Sequence, residues 1–174
     1  VGNISFLFHW FTVAERVEGY SDSDFAGSEQ RTSTTGGVIV MGGTVIKSWA
    51  KQQKVIALSS GEAELYAAVK LGCEMLGIKS LAHDFGLDVQ LHIYLDAKAT
   101  IGMLTRRGVG SMKHVETNMF WLQQTIAAKT IILHKVHTDD NFADALTKYL
   151  TGEKLRSLCA AMGLTPVTVA MHRQ

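Results

Sequence analysis

Apolar positions recur at two spacings along this chain, and each change of spacing marks a change of element. Residues 4–17 are rich in aromatic and β-branched side chains and suit an edge strand or a segment packed on another chain. A strand pattern follows, Gly19-Tyr20-Ser21-Asp22-Ser23-Asp24-Phe25-Ala26-Gly27, which stops on a glycine and shows carboxylates among small and apolar residues. A polar turn over residues 27–36 leads into Gly37-Val38-Ile39-Val40-Met41, and Gly42-Gly43 separates that run from Thr44-Val45-Ile46-Lys47-Ser48-Trp49-Ala50. A glycine pair between two apolar runs predicts a hairpin. Residues 55–58 are expected to extend this third antiparallel strand after a kink.

At Ser59-Ser60-Gly61-Glu62 the period changes from two to that of a helix, with a serine cap and an acid in the first turn. The stripe Leu65, Ala68, Val69, Gly72 and Leu76 gives the buried face, and the helix stops either near Gly77 or at Gly86. Leu91-His92-Ile93-Tyr94-Leu95 is a fourth strand ending on Asp96, residues 97–105 a short helix, residues 115–128 a further helix, and residues 130–137 a fifth strand. Residues 141–149 and 153–162 are helical by spacing. The order β-β-β-α-β-α-α-β-α predicts an α/β fold, one mixed sheet in three layers with helices packed on it. Residues 19–150 form the domain, flanked by an N-terminal extension, residues 1–18, and a C-terminal helix and tail, residues 151–174, which hold the only proline, Pro166.

A length of 174 residues suits one domain with a substantial core, and 47% hydrophobic against 19% charged residues excludes a disordered chain. No apolar run is long enough to span a bilayer. Cys73 and Cys159 lie far apart without zinc-ligand spacing and read as small buried apolar groups. No basic residue precedes the apolar segment at residues 4–11, so no secretory signal is visible; the sequence leaves the location open, intracellular with an organellar address included. A formal net charge of +1 gives little overall pull on a polyanion, which would have to be held by a local basic patch or by bound cations.

Acids stand at comparable places in this order: Asp22 in the first strand, Glu64 in the first turns of the first helix, Asp96 at the end of the fourth strand and Asp144 in a late helix. Strand ends and helix starts meet at one edge of such a sheet. Carboxylates gathered there resist ionisation unless divalent cations neutralise them, and hard oxygen ligands without thiolate or imidazole point to Mg²⁺ or Mn²⁺. A pair of such ions activates water and stabilises the leaving oxygen in phosphodiester cleavage. Asp24 lies two residues from Asp22 and on the same strand face but nearer the turn, while Glu62 and Glu64 point about 200° apart around the helix, so only one of the two glutamates serves the site.

Several stretches in order resemble the ribonuclease H domain of copia-type retrotransposon polyproteins. They are Tyr20-Ser21-Asp22-Ser23-Asp24-Phe25-Ala26-Gly27, Arg31-Thr32-Ser33-Thr34-Thr35-Gly36-Gly37 and Ala57-Leu58-Ser59-Ser60-Gly61-Glu62-Ala63-Glu64-Leu65-Tyr66-Ala67-Ala68, followed by Tyr94-Leu95-Asp96, Lys113-His114-Val115-Glu116 and Asp140-Asn141-Phe142-Ala143-Asp144-Ala145-Leu146-Thr147-Lys148. The resemblance implies a ribonuclease H-like three-layer fold with a five-stranded mixed sheet, and a two-metal endonuclease cutting the RNA strand of an RNA–DNA hybrid. It implies Asp22, Glu64, Asp96 and Asp144 as ligands of two Mg²⁺ or Mn²⁺ ions, with Glu62 left as the helix-start carboxylate.

The same resemblance suggests His137, on the loop before the last acid, as an aid to proton transfer or product release, against the plainer reading of a solvent-facing loop histidine. Arg31, Ser33, Thr34, Arg106, Arg107, Lys113 and His114 are candidate contacts to phosphates or sugar hydroxyls. The chain departs from the family where Ala97-Lys98 follows Asp96, where Thr117-Asn118-Met119 lacks an arginine, and where Lys148-Tyr149-Leu150 replaces Lys-Pro-Leu. Expected partners are an RNA–DNA hybrid and the reverse transcriptase portion of a polyprotein. The competing expectation is a domesticated domain kept as a structural or binding subunit of a larger assembly.

Overall fold

The computed structural model describes residues 4–6, 15–106 and 117–166. Its centre is a five-stranded sheet in the order β4-β3-β2-β5-β6. Strands β2 (Arg16–Asp24), β3 (Thr34–Met41) and β4 (Thr44–Gln52) form the antiparallel meander expected from the alternation, and Gly42 and Gly43 turn the hairpin with φ of 59° and 77°. Strands β5 (Gln90–Leu95) and β6 (Ile131–Lys135) add to β2 in parallel, which requires the helical crossovers between them. Outside this sheet, β1 (Ile4–Phe6) pairs antiparallel with β7 (Leu164–Pro166), so the two extensions pair with each other. Strand β2 begins at Arg16, inside the stretch read as an N-terminal extension.

Helix α1 (Ser60–Asp84) opens where Ser59 accepts from the Glu62 backbone N–H at 3.2 Å and runs on through Gly77 to stop at Gly86, whose φ is 76°. It packs on one face of the sheet, where Val17, Ile39, Leu71, Met75, Leu91 and Ile93 are fully buried, together with α2 (Lys98–Thr105) and α3 (Thr117–Ala127). The other face is covered by α4 (Asp144–Thr147) and α5 (Gly152–Ala161), with Leu158 of α5 in one buried cluster with Tyr20, Val38 and Val40. The expected three layers are present. Along β2 the period of two sends Val17 and Gly19 toward α1 and Tyr20 and Asp22 toward α4.

Two expected elements differ. Residues 55–58 are not a strand: β3 begins at Thr34, whose partner is Gln52, the last cross-strand bond is the one Gln53 N donates to the Ser33 carbonyl at 2.7 Å, and the Gln53 side chain turns inward. Residues 141–149 hold only the four-residue α4, because Asn141 donates to the Ser21 carbonyl at 3.1 Å and accepts from Ala143 N at 3.2 Å, an alternative to helical bonding. Phe142 seats this segment on the sheet, 4.4 Å from the Tyr20 ring. At Gly36, the strand partner of Asp22, an added Cβ would lie 2.6 Å from Thr147 Cγ2 and 3.1 Å from the Ala143 carbonyl. The bare glycine lets α4 approach Asp22.

Candidate active site

The acids meet at the end of β2, reached from both faces of the sheet. Asp22 is buried on the α4 side, where the Thr147 hydroxyl donates to its Oδ2. Asp144 opens α4 and is also buried, and Asp96 follows the last residue of β5. One oxygen from each of Asp22, Asp96 and Asp144 fits within 4.8 Å of the others. Glu64 approaches from α1, and its Oε1 accepts from the Ser23 backbone N–H at 3.1 Å and the Ser23 hydroxyl at 3.0 Å. All four acids except Asp144 line one open cavity of ≈ 390 Å³, with Ser23, Gly61, Lys98, Thr138 and Lys148.

The charge here is only partly balanced. Lys148 reaches back one turn from the end of α4 and places Nζ 2.8 Å from Asp144 and 3.1 Å from Asp22. Burial works against its ammonium, yet the two carboxylates hold its pKa above the ordinary lysine value. Burial raises Asp22, with the Thr147 bond and the Lys148 charge opposing, and raises Asp144 against the Lys148 bond. Glu64 moves furthest, to about 8, through burial and then the Asp22 charge, despite the Ser23 bonds. A site that keeps carboxylates this reluctant to ionise has the donor chemistry of a hard divalent cation site.

The neighbouring acids have other work. Glu62 is buried and accepts from Leu58 N at 2.8 Å and from the Tyr66 hydroxyl at 3.2 Å, so it ties down the start of α1. Asp24 lies outside the three-aspartate group, with its carboxylate against Gly27.

No protein-family model matches the chain. Over 160 residues, 90% of its length, it is 32% identical to the retrovirus-related Pol polyprotein from transposon TNT 1-94 of Nicotiana tabacum. Over 155 residues, 87% of its length, it is 30% identical to the corresponding polyprotein from transposon RE1 of Arabidopsis thaliana. The chain is a homologue of the retrovirus-related Pol polyproteins of transposons. It spans 11% of the length of these relatives. LC11-RNase H1, isolated from compost by a metagenomic approach, has a similar structure with a TM-score of 0.59 at 12% identity, over 82% of this chain and 97% of that one. The foamy viral protease-reverse transcriptase in complex with RNA/DNA hybrid matches with a TM-score of 0.55 at 14% identity, over 81% of this chain and 21% of that one. The fold is the ribonuclease H fold, as the resemblance implies.

In this Pol homologue the other sequence candidates fall in different places. Ser33 does not face outward: it is 1% exposed, and its hydroxyl accepts from Ala26 N at 3.2 Å, which closes the loop after β2. Arg31 stands exposed on that loop with a φ of 56°, and Thr34 is the half-buried first residue of β3. His137 is exposed, accepts from Asp139 N at 3.2 Å and lies 3.5 Å from the Asp139 carboxylate; the residue after it, Thr138, forms the cavity wall. Arg106 ends α2, whereas Arg107, Lys113 and His114 lie outside the described residues. Ser23, Thr147 and Lys148 were not singled out from sequence. Helical spacing from Asp144 was the available signal for Thr147 and Lys148, at three and four residues.

Proposed function

We propose that this Pol homologue is a metal-dependent endonuclease of ribonuclease H type that hydrolyses the RNA strand of an RNA–DNA hybrid. The observation that carries this reading is the convergence of the Asp22, Asp96 and Asp144 oxygens at the end of β2, with Glu64 facing them from α1. The names of two similar structures, LC11-RNase H1 and the foamy viral protease-reverse transcriptase, include an RNA/DNA hybrid complex, which supports the choice of substrate.

Asp22, Glu64, Asp96 and Asp144 would hold two Mg²⁺ or Mn²⁺ ions. When bound, such ions supply an activated water and stabilisation of the leaving oxygen. The chain's own groups prepare that site. Ser23 fixes Glu64 by two bonds on one oxygen and leaves Oε2 without a hydrogen bond among the described residues. Thr147 orients Asp22, and Gly36 admits the helix that carries Thr147 and Asp144. Lys148 compensates Asp22 and Asp144 and lines the cavity with a cation that would favour an anionic substrate there. Arg31 and Thr34 are the remaining described candidates for contact with the hybrid on the loop after β2.

The test is incubation with a labelled RNA–DNA hybrid and Mg²⁺ or Mn²⁺, beside an Asp96→Asn control. Cleavage abolished by the substitution is the expected result. A folded protein that binds hybrid without cutting it in either metal would assign the domain to a binding role in an assembly instead.

A further inference from the structure

A second cleft, of ≈ 360 Å³, lies between β4 and α1, away from the acid cluster, with Trp49, Lys51, Gln53, Lys54, Tyr66 and Lys70 among its walls. Gln53 is 8% exposed, and its amide is fixed: Nε2 donates to Thr35 Oγ1 at 3.0 Å and to the Ala63 carbonyl at 2.9 Å. That orientation leaves Gln53 Oε1 buried with no partner among the described residues, and Trp49 Nε1 is buried and unpartnered in the same way. An unpaired buried donor or acceptor costs about 1–3 kcal/mol, so an occupant of the cleft that reached Trp49 Nε1 and Gln53 Oε1 and supplied both complements would recover part of that cost.

The charge around the cleft narrows the choice of occupant. Lys51 and Lys54 are exposed and make no ion pair among the described residues, while Lys70 and Lys47 share the single Glu74 carboxylate. Lysines on an edge strand such as β4 also discourage strand pairing, which accounts for the charges but not for the two buried unpaired groups. Anionic oxygens for the lysines, together with an acceptor for Trp49 and a donor for Gln53, describe a nucleotide.

Position connects the cleft with the acid site. Ser23, which holds Glu64, pairs with Thr35, and Thr35 pairs with Lys51, so the three stand in one row across β2, β3 and β4. At about 4.8 Å between strands, Lys51 stands roughly 10 Å along that row from Ser23, about three nucleotide steps at 3.4 Å each. We propose that this cleft is a nucleotide subsite for a strand running on from the acid cluster, with Lys51 and Lys54 on its phosphodiester and with Trp49 Nε1 and Gln53 Oε1 on its sugar or base. It rests on the proposed hybrid substrate.

The test measures binding of a short labelled RNA–DNA hybrid over a salt series in an Asp96→Asn background, with Lys51→Glu/Lys54→Glu, Lys51→Gln/Lys54→Gln and Trp49→Phe compared to it. Each lysine pair variant is expected to weaken binding at least about tenfold and to reduce the slope of log affinity against log salt by about two. Trp49→Phe is expected to weaken binding several-fold and to remove the hybrid-induced change in tryptophan emission, with Mn²⁺ affinity unchanged in all variants. An unchanged salt slope in both folded lysine variants overturns the subsite while leaving the acid cluster's reading intact. Equal competition by polyglutamate overturns it in favour of an acidic peptide. Failure of the Asp96→Asn parent to bind hybrid removes the substrate reading and the subsite together.

Discussion

Lys148 places its ammonium 2.8 Å from Asp144, the residue one helical turn before it, and the same nitrogen lies 3.1 Å from Asp22. A cation supplied by the chain thus rests on two of the carboxylates proposed to hold metal ions. Replacing it by Met leaves Asp22 and Asp144 uncompensated; since Lys148 is 36% exposed, the expected loss of stability in chelator is modest, about 1–2 kcal/mol. Removing a competing cation should also tighten divalent binding. Thermal unfolding in chelator and Mn²⁺ titration calorimetry check the two effects, expected as a lowered melting temperature and a lowered Kd.

Ser23→Ala removes the hydroxyl bond to Glu64 and keeps the backbone bond. Both bonds hold the Glu64 pKa down against burial, so losing one raises it further. Stability should fall by about 1 kcal/mol, and the acidic limb of the pH–rate profile should move to higher pH. A profile superimposable on that of the parent would contradict this role for Ser23.

The raised carboxylates also set a pH dependence of stability. Glu64 has a folded pKa of about 8 against an ordinary value of 4.5, so across that window the folded chain binds a proton that the unfolded chain has released. More protons on the native state means stability falls as pH rises, from about 4.5 to about 8. Asp22 and Asp144 shift in the same direction and add to the slope at its acid end. Denaturant unfolding of the metal-free protein should show this decline, and saturating Mg²⁺ should flatten it.

Gly36→Ala tests how α4 reaches β2. The added methyl would meet Thr147 and the Ala143 carbonyl, and backbone is costly to move, so a loss of about 1–3 kcal/mol is expected. Because Thr147 and Asp144 ride on α4, Mn²⁺ affinity should drop with it, whereas Gly77→Ala, in open space on α1, should leave metal binding unchanged. Calorimetric titration of both variants gives the comparison.

The strand alternation, the Gly42-Gly43 hairpin and the Ser59 cap made the sheet and α1 readable from sequence, because each is a local pattern with a local cause. What escaped depends on partners distant in the chain. Residues 55–58 look like strand until β3 is seen to begin only at Thr34, and residues 141–149 look helical until Asn141 is seen to bond Ser21, 120 positions away. Within the site, the acids were legible as types at strand ends and helix starts. The burial of Ser33 escaped because its bond to Ala26 lies in a folded loop, and the Ser23–Glu64 contact joins a strand to a helix across 41 positions.

The most direct measurement labels the RNA and DNA strands of a hybrid separately and follows both with the wild-type chain and with Asp96→Asn, in Mg²⁺, in Mn²⁺ and in chelator. The expected result is cleavage of the RNA strand alone, dependent on divalent metal and lost in Asp96→Asn. No cleavage of either strand by a folded, hybrid-binding protein, or cleavage that survives Asp96→Asn, would contradict the assignment of hydrolysis to this acid cluster.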